Sequence, residues 1–112
     1  MMNKKIKKIL LKKNKSKILS LTAYSKSIAS ILDKYMDIVL VGDSMASVLY
    51  GHKNTHKINL ENIIQHTRSV KMGIKKSLLV VDMPKGSYNN LRSAEKNVKK
   101  LISKTRCEAI KL

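Results

Sequence analysis

The chain has 112 residues, a length for one small domain, with 24 Lys+Arg against 7 Asp+Glu, a formal charge of +17, 43% hydrophobic residues and 4% aromatics. The lone cysteine, Cys107, excludes a disulfide framework, and without a CxxC or Cys/His cluster there is no zinc finger or ribbon. No run approaches the roughly 18 consecutive apolar residues of a membrane span, and Ile9-Leu10-Leu11 is too short for a signal-peptide core, so the expected setting is reducing and cytoplasmic.

Residues 1–16 read as a basic arm in which Ile6, Ile9 and Leu10 line one face of a short helix, capping the domain or solvated beside it. Residues 18–23 (ILSLTA) read as a buried strand, followed by a helix from about Ser27 whose Ile28, Ile31, Leu32 and Tyr35 recur at helical spacing. Residues 37–41 (DIVLV) form the next strand, rich in β-branched side chains. Gly42 closes it, and a short helical stretch over 44–49 follows. Asn59 is a candidate N-cap for a helix carrying Leu60, Ile63, Ile64, Thr67, Val70 and Ile74 on one face. Residues 77–81 (SLLVV) make a third strand. Pro84 and Gly86 then break the chain, Asn89 or Asn90 caps a helix with the stripe Leu91, Ala94, Val98, Leu101 and Ile102, and residues 107–112 (CEAIKL) enter a fourth strand.

Strands alternating with helices predict an α/β domain with a parallel sheet, its apolar strands buried on both faces. The pattern fits either an open doubly wound sheet or the first half of a (β/α)8 barrel, and no GxGxxG or Walker A loop favours nucleotide binding. A chain that ends inside a strand, with no helix to cover it, reads as truncated or split.

Two acids occupy equivalent places, Asp43 directly after the second strand and Asp82 directly after the third. In a parallel sheet both lie at the carboxyl ends, where such domains bind ligands. Ser44 follows the first acid and Lys111 lies near the end of the fourth strand. Two converging carboxylates with waters and a chelating substrate suit Mg²⁺, a hard ion that prefers oxygen; aspartates in such places also cap helices and make turns. His52 and His56 stand at i, i+4 in a polar segment that reads as a solvated loop. His66, beside a helical apolar stripe, reads as a structural hydrogen-bonding residue, and Cys107 as a small buried hydrophobe. With only three arginines and no Trp or Phe, the positive charge lacks the forks and stacking surfaces of a nucleic-acid binder, and lysine bias is the plainer reading.

The segments Leu21-Thr-Ala-Tyr24, Asp37-Ile-Val-Leu-Val-Gly-Asp-Ser44, His66-Thr-Arg-Ser-Val70, Val80-Val-Asp-Met-Pro-Lys-Gly-Ser-Tyr88 and Ala109-Ile-Lys-Leu112 resemble, in order and spacing, ketopantoate hydroxymethyltransferase (3-methyl-2-oxobutanoate hydroxymethyltransferase). The resemblance implies that residues 17–112 are the N-terminal half of a TIM-type (β/α)8 barrel, about its first four strands and three helices. It implies a homo-oligomer that uses Mg²⁺ to transfer a hydroxymethyl group from 5,10-methylenetetrahydrofolate to 2-oxoisovalerate. By the same resemblance Asp43 and Asp82 match metal-binding positions that also contact substrate, and Ser44 and Lys111 match substrate-binding positions. The general-base Glu is expected beyond residue 112, so no catalytic base is expected here, the isolated chain is expected to be inactive, and a complementing C-terminal chain is one way to close the barrel. Ser25 stands where the family has Asp, Ala46-Ser47 replaces Gly-Met, and Lys85 replaces an aromatic residue. The alternative reading is a non-catalytic basic RNA-binding protein on a remnant enzyme scaffold.

Overall fold

The computed structural model describes residues 2–112; residue 1 of the basic arm lies outside them. In chain order the elements are α1 (Lys4–Leu10), β1 (Ser20–Thr22), α2 (Lys26–Leu32), β2 (Ile38–Val41), α3 (Met45–Val48), α4 (Leu60–Gly73), β3 (Leu78–Asp82), α5 (Leu91–Thr105) and β4 (Ala109–Lys111). The strands form one sheet in the order β1-β2-β3-β4, every neighbouring pair parallel. Each return to the starting end is a helical crossover, as a parallel sheet requires.

The two long helices start where their caps put them. Asn59 accepts from the Asn62 N–H at 2.9 Å while the Asn62 side chain accepts from the Asn59 N–H, and Asn90 and Ser93 repeat this reciprocal arrangement at α5. Ile63, Ile64, Thr67 and Val70 of α4 are buried against Val39, Val41, Leu79 and Val81, which the period of two turns to the same side of the sheet. Leu40, Val80 and Ala109, on the opposite side, are half-buried. The expectation of strands buried on both faces holds for β3, whose Leu78 and Asp82 on this side are buried as well, and is corrected for the other strands: helices cover one face. The edge strand β1, expected to be buried, is exposed along its length, with Leu21 52% accessible, because it has a single hydrogen-bonded neighbour.

Two helical stripes are also corrected. In α2 Ala29 is fully buried and Leu32 packs half-buried against the core as expected, while Ile28, Ile31 and, just past the helix, Tyr35 are exposed, Tyr35 at 69%. The cause is the close approach of α4: a Cβ on Gly73 would lie 2.6 Å from the Lys26 carbonyl oxygen and 2.8 Å from the Ser30 nitrogen. A helix pair this tight admits only small residues between its backbones, so Ile28 and Ile31 of α2 turn away. In α5, Leu101 is fully buried and Ala94 and Val98 half-buried, but Leu91, at the first helical position, and Ile102, about 100° around the helix from Leu101, face outward.

Three acids bind the amino-terminal end of the sheet. Asp33, at the end of α2, accepts from the N–H groups of Lys75, Lys76 and Ser77 at 3.0, 3.0 and 2.8 Å. Asp37 accepts from the Leu19 N–H and pairs with Lys12 at 2.6 Å. Glu108 accepts from the Leu79 N–H and pairs with Lys5 and Lys71 at 2.9 and 3.1 Å. Through Lys5 and Lys12 the basic arm therefore caps the end of the sheet, although Leu10 stays exposed. Burial pushes the Asp33 carboxyl up, but the three backbone donors outweigh it and hold the group below its ordinary value. Glu108 is held low against its burial by Lys5, Leu79 and Lys71, and Asp37 by the Leu19 N–H and Lys12.

Two outcomes follow. In Gly73→Ala the clash with the Lys26 and Ser30 backbone, toward the upper end of about 1–3 kcal/mol of overpacking, exceeds the helix-propensity gain of about 1 kcal/mol, so a urea melt shows a net loss of up to about 2 kcal/mol. Because three carboxyls are depressed in the folded state, their stabilisation is complete above about pH 5 and is lost as pH falls through their folded values. Urea midpoints taken between pH 6 and 3 show this decline, and Asp33→Asn both lowers the pH 7 midpoint and flattens the slope.

Candidate functional site

Register carries the two aspartates together. Val41 lies opposite Val81 and Asp82 opposite Lys111, so Gly42 comes level with Asp82, and the Asp43 N–H donates to Asp82 Oδ2 at 3.2 Å. Gly42 has a steric task here: a Cβ would stand 3.2 Å from Ser44 Oγ and 3.3 Å from Asp82 Oδ2, crowding both. Asp43, Ser44, Asp82 and Lys111 are thus gathered at the carboxyl ends of β2, β3 and β4. Asp82 and Lys111 follow the parity of Val80 and Ala109, and so belong to the face of the sheet that the helices leave uncovered.

Asp82 is 6% accessible, so its carboxylate depends on its neighbours. Lys111 Nζ pairs with Oδ1 at 2.7 Å, and Oδ1 has no other partner among the described residues. The Asp82 carboxylate holds Lys111 above the ordinary lysine value, against partial desolvation, with Asp43 and Tyr88 adding to the effect. The Asp43 side chain enters none of the ion pairs of the described residues. Two carboxylates that share a single cation, Lys111, leave a net negative charge on oxygen ligands, which fits a small hard cation.

Tyr24 joins this group although sequence reasoning passed over its side chain. Its hydroxyl lies 2.5 Å from Ser44 Oγ, and its carbonyl accepts from His66 Nδ1 at 3.0 Å. Since a carbonyl can only accept, His66 carries its proton on Nδ1, and in the neutral ring Nε2 accepts from the Tyr50 hydroxyl at 2.6 Å. His66 is the structural hydrogen-bonding residue expected of it. The available signal for Tyr24 was its place just after β1, level with the carboxyl ends of the other strands.

His52 and His56 have separate surroundings. His56 is exposed, with Lys85 Nζ 3.3 Å from its Nε2. His52, contrary to the solvated-loop expectation, is half-buried near Tyr50, and its Nδ1 has no partner among the described residues. Among those residues no group of three or more His, Cys, Asp or Glu side chains is placed to hold a metal. Cys107 is buried, as expected, and burial pushes its thiol up, away from the reactive thiolate. No helix of the described residues is long and apolar enough to cross a membrane.

A family model described as ketopantoate hydroxymethyltransferase matches residues 3–112. The chain is 60% identical over 111 residues to 3-methyl-2-oxobutanoate hydroxymethyltransferase of Pelagibacter ubique (strain HTCC1062), which covers 99% of this chain and 43% of that protein. Proteins of the same name from Anaplasma marginale (strain St. Maries) and Campylobacter fetus subsp. fetus (strain 82-40) are 43% and 40% identical; the matches take in 90% and 96% of this chain and 36% and 40% of theirs. The chain spans roughly two fifths of the length of these relatives.

The ion pair makes a direct prediction. Asp82→Asn removes the anion that raises Lys111, so the Lys111 titration, followed by NMR at Nζ or Cε, moves down toward the ordinary lysine value. An unchanged titration would show that the two side chains do not meet in solution.

Proposed function

This chain belongs to the ketopantoate hydroxymethyltransferase family, and we propose that it supplies the metal- and oxoacid-binding part of the enzyme that makes ketopantoate for pantothenate and coenzyme A biosynthesis. The reaction is transfer of a hydroxymethyl group from 5,10-methylenetetrahydrofolate to 2-oxoisovalerate (3-methyl-2-oxobutanoate). The observation that carries this reading is the meeting of Asp43, Asp82 and Lys111 on adjacent strand ends, two carboxylates with one cation between them.

Asp43 and Asp82 would hold Mg²⁺, which keeps part of its water shell and so needs few protein ligands. Bound there, the ion supplies Lewis-acid polarisation of the 2-oxo group. Lys111, the cation of the cluster, faces the negative charge of the oxoacid carboxylate and neutralises it. Tyr24 hydrogen-bonds Ser44; when the tyrosine donates, the serine proton is left free for a substrate oxygen. The sheet is read as the first four strands of a (β/α)8 barrel, residues 1–16 being its basic arm and 17–112 its N-terminal half. The base glutamate is assigned to the part of the relatives that this chain does not span. Cytoplasmic location accords with a metabolic role of this kind.

Calorimetry with the purified 112-residue chain tests the proposal. The expected result is saturable 2-oxoisovalerate binding that requires Mg²⁺ and weakens about tenfold or more in both Asp43→Asn and Asp82→Asn, as loss of charged contacts implies. Lys111→Ala weakens the oxoacid and spares Mg²⁺. No turnover is expected without a supplied base. Oxoacid binding that ignores Mg²⁺ and both acids would overturn the assignment.

A further inference from the structure

We propose that the groove between α4 and the end of α5 is a binding site for a small phosphate-bearing molecule, on the end of the sheet opposite Asp43 and Asp82 and independent of the proposed reaction. Arg68, Lys71, Met72, Ser103, Lys104, Thr105 and Arg106 line this groove of about 320 Å³, and there is no acid among them.

Lysine bias does not account for it. Of the 24 cationic residues in the chain 21 are lysine, which serves wherever a bare positive charge suffices, yet two of the three arginines meet in this groove. A guanidinium differs from an ammonium in its planar fork, which grips a phosphate through two parallel hydrogen bonds. Nor do the helix ends account for it. Lys71 and Lys104 already stand in the last turns of α4 and α5, where a cation offsets the helix dipole, and Lys71 is also paired with Glu108. Arg68 and Arg106 are additional, and neither takes part in the ion pairs of the described residues.

Arg106 is moreover held in an unfavourable backbone state. It ends α5 with φ 55°, ψ 33°, the left-handed conformation that glycine adopts freely and a residue with a Cβ resists. The fold thus keeps a guanidinium where its own geometry favours glycine, and strain of this kind gathers at functional sites. Ser103 and Thr105 spend their hydroxyl protons on the carbonyls of Lys100 and Leu101, which leaves donation in the groove to the cations. Met72, 65% accessible, adds an apolar wall, so the ligand is best matched by a phosphate ester carrying an organic body.

The three arginines make the test specific, because Arg92, outside the groove, is an internal control. The Nε–Hε resonances of the 112-residue chain are followed during titration with inorganic pyrophosphate at constant ionic strength. Arg68 and Arg106 shift saturably with one common Kd, and Arg92 stays in place. Arg68→Lys and Arg106→Gly each weaken binding by about tenfold, the loss of one charge-assisted bidentate contact. Arg106→Gly at the same time raises the melting temperature by relieving the backbone, which separates lost binding from lost folding. Lys96→Ala, on the outer face of α5, changes nothing. Equal shifts at all three arginines, non-saturating shifts, or equally tight binding of citrate would overturn the proposal.

Discussion

Asp33 exchanges its hydration for three backbone amides, and the geometry at the far end of the sheet depends on that exchange. The carboxylate ties the end of α2 to the turn between α4 and β3, and the Leu78 N–H donates to the Asp37 carbonyl at 2.8 Å just beyond it. That contact starts the pairing of β2 with β3, and four residues later the same register delivers Asp82 beside Gly42. In a sheet with a side-chain period of two, a slip of one residue would turn Asp82 to the opposite face, under the helices. A hydrogen-bond acceptor at one end of the domain thereby fixes the orientation of a carboxylate at the other.

The seven acids of the chain divide accordingly. Asp33, Asp37 and Glu108 are consumed by backbone amides and lysines at the amino-terminal end, while Glu61 and Glu95 form exposed ion pairs with Lys100 and Lys99. Asp43 and Asp82 remain. In so basic a chain acidic side chains are scarce, and these two stand together with Lys111 as the one cation paired to them.

Much of this was legible in the sequence. The alternation of apolar runs with helical periods gave the element order and the parallel sheet, because both periods are local properties of the chain. Asparagine before an apolar stripe located the start of α4 and of α5, because capping is local too. The rotation of α2 was not legible: Ile28 and Ile31 have the spacing of an inner stripe, and what turns them out is Gly73, more than forty positions away, whose missing Cβ lets α4 come close. The exposure of β1 was hidden for a related reason, since an apolar run does not say how many neighbours its strand has. At the site, the acids announced themselves by standing after strands, whereas Tyr24 acts through one hydroxyl contact that no spacing rule encodes.

The bond between Tyr24 and Ser44 ties the site to β1, a three-residue strand paired on one side only and open to solvent. Short, exposed, singly paired segments open at low free energy, well before the rest of a domain unfolds. When β1 frays, Tyr24 goes with it, His66 loses the carbonyl that fixes its tautomer, and Ser44 is freed from its rotamer while Asp43 and Asp82 stay where β2 and β3 hold them. In this 112-residue chain the site is therefore held in two ways: an acidic pair at the ends of the two inner strands, and a hydroxyl arm tied to an edge strand.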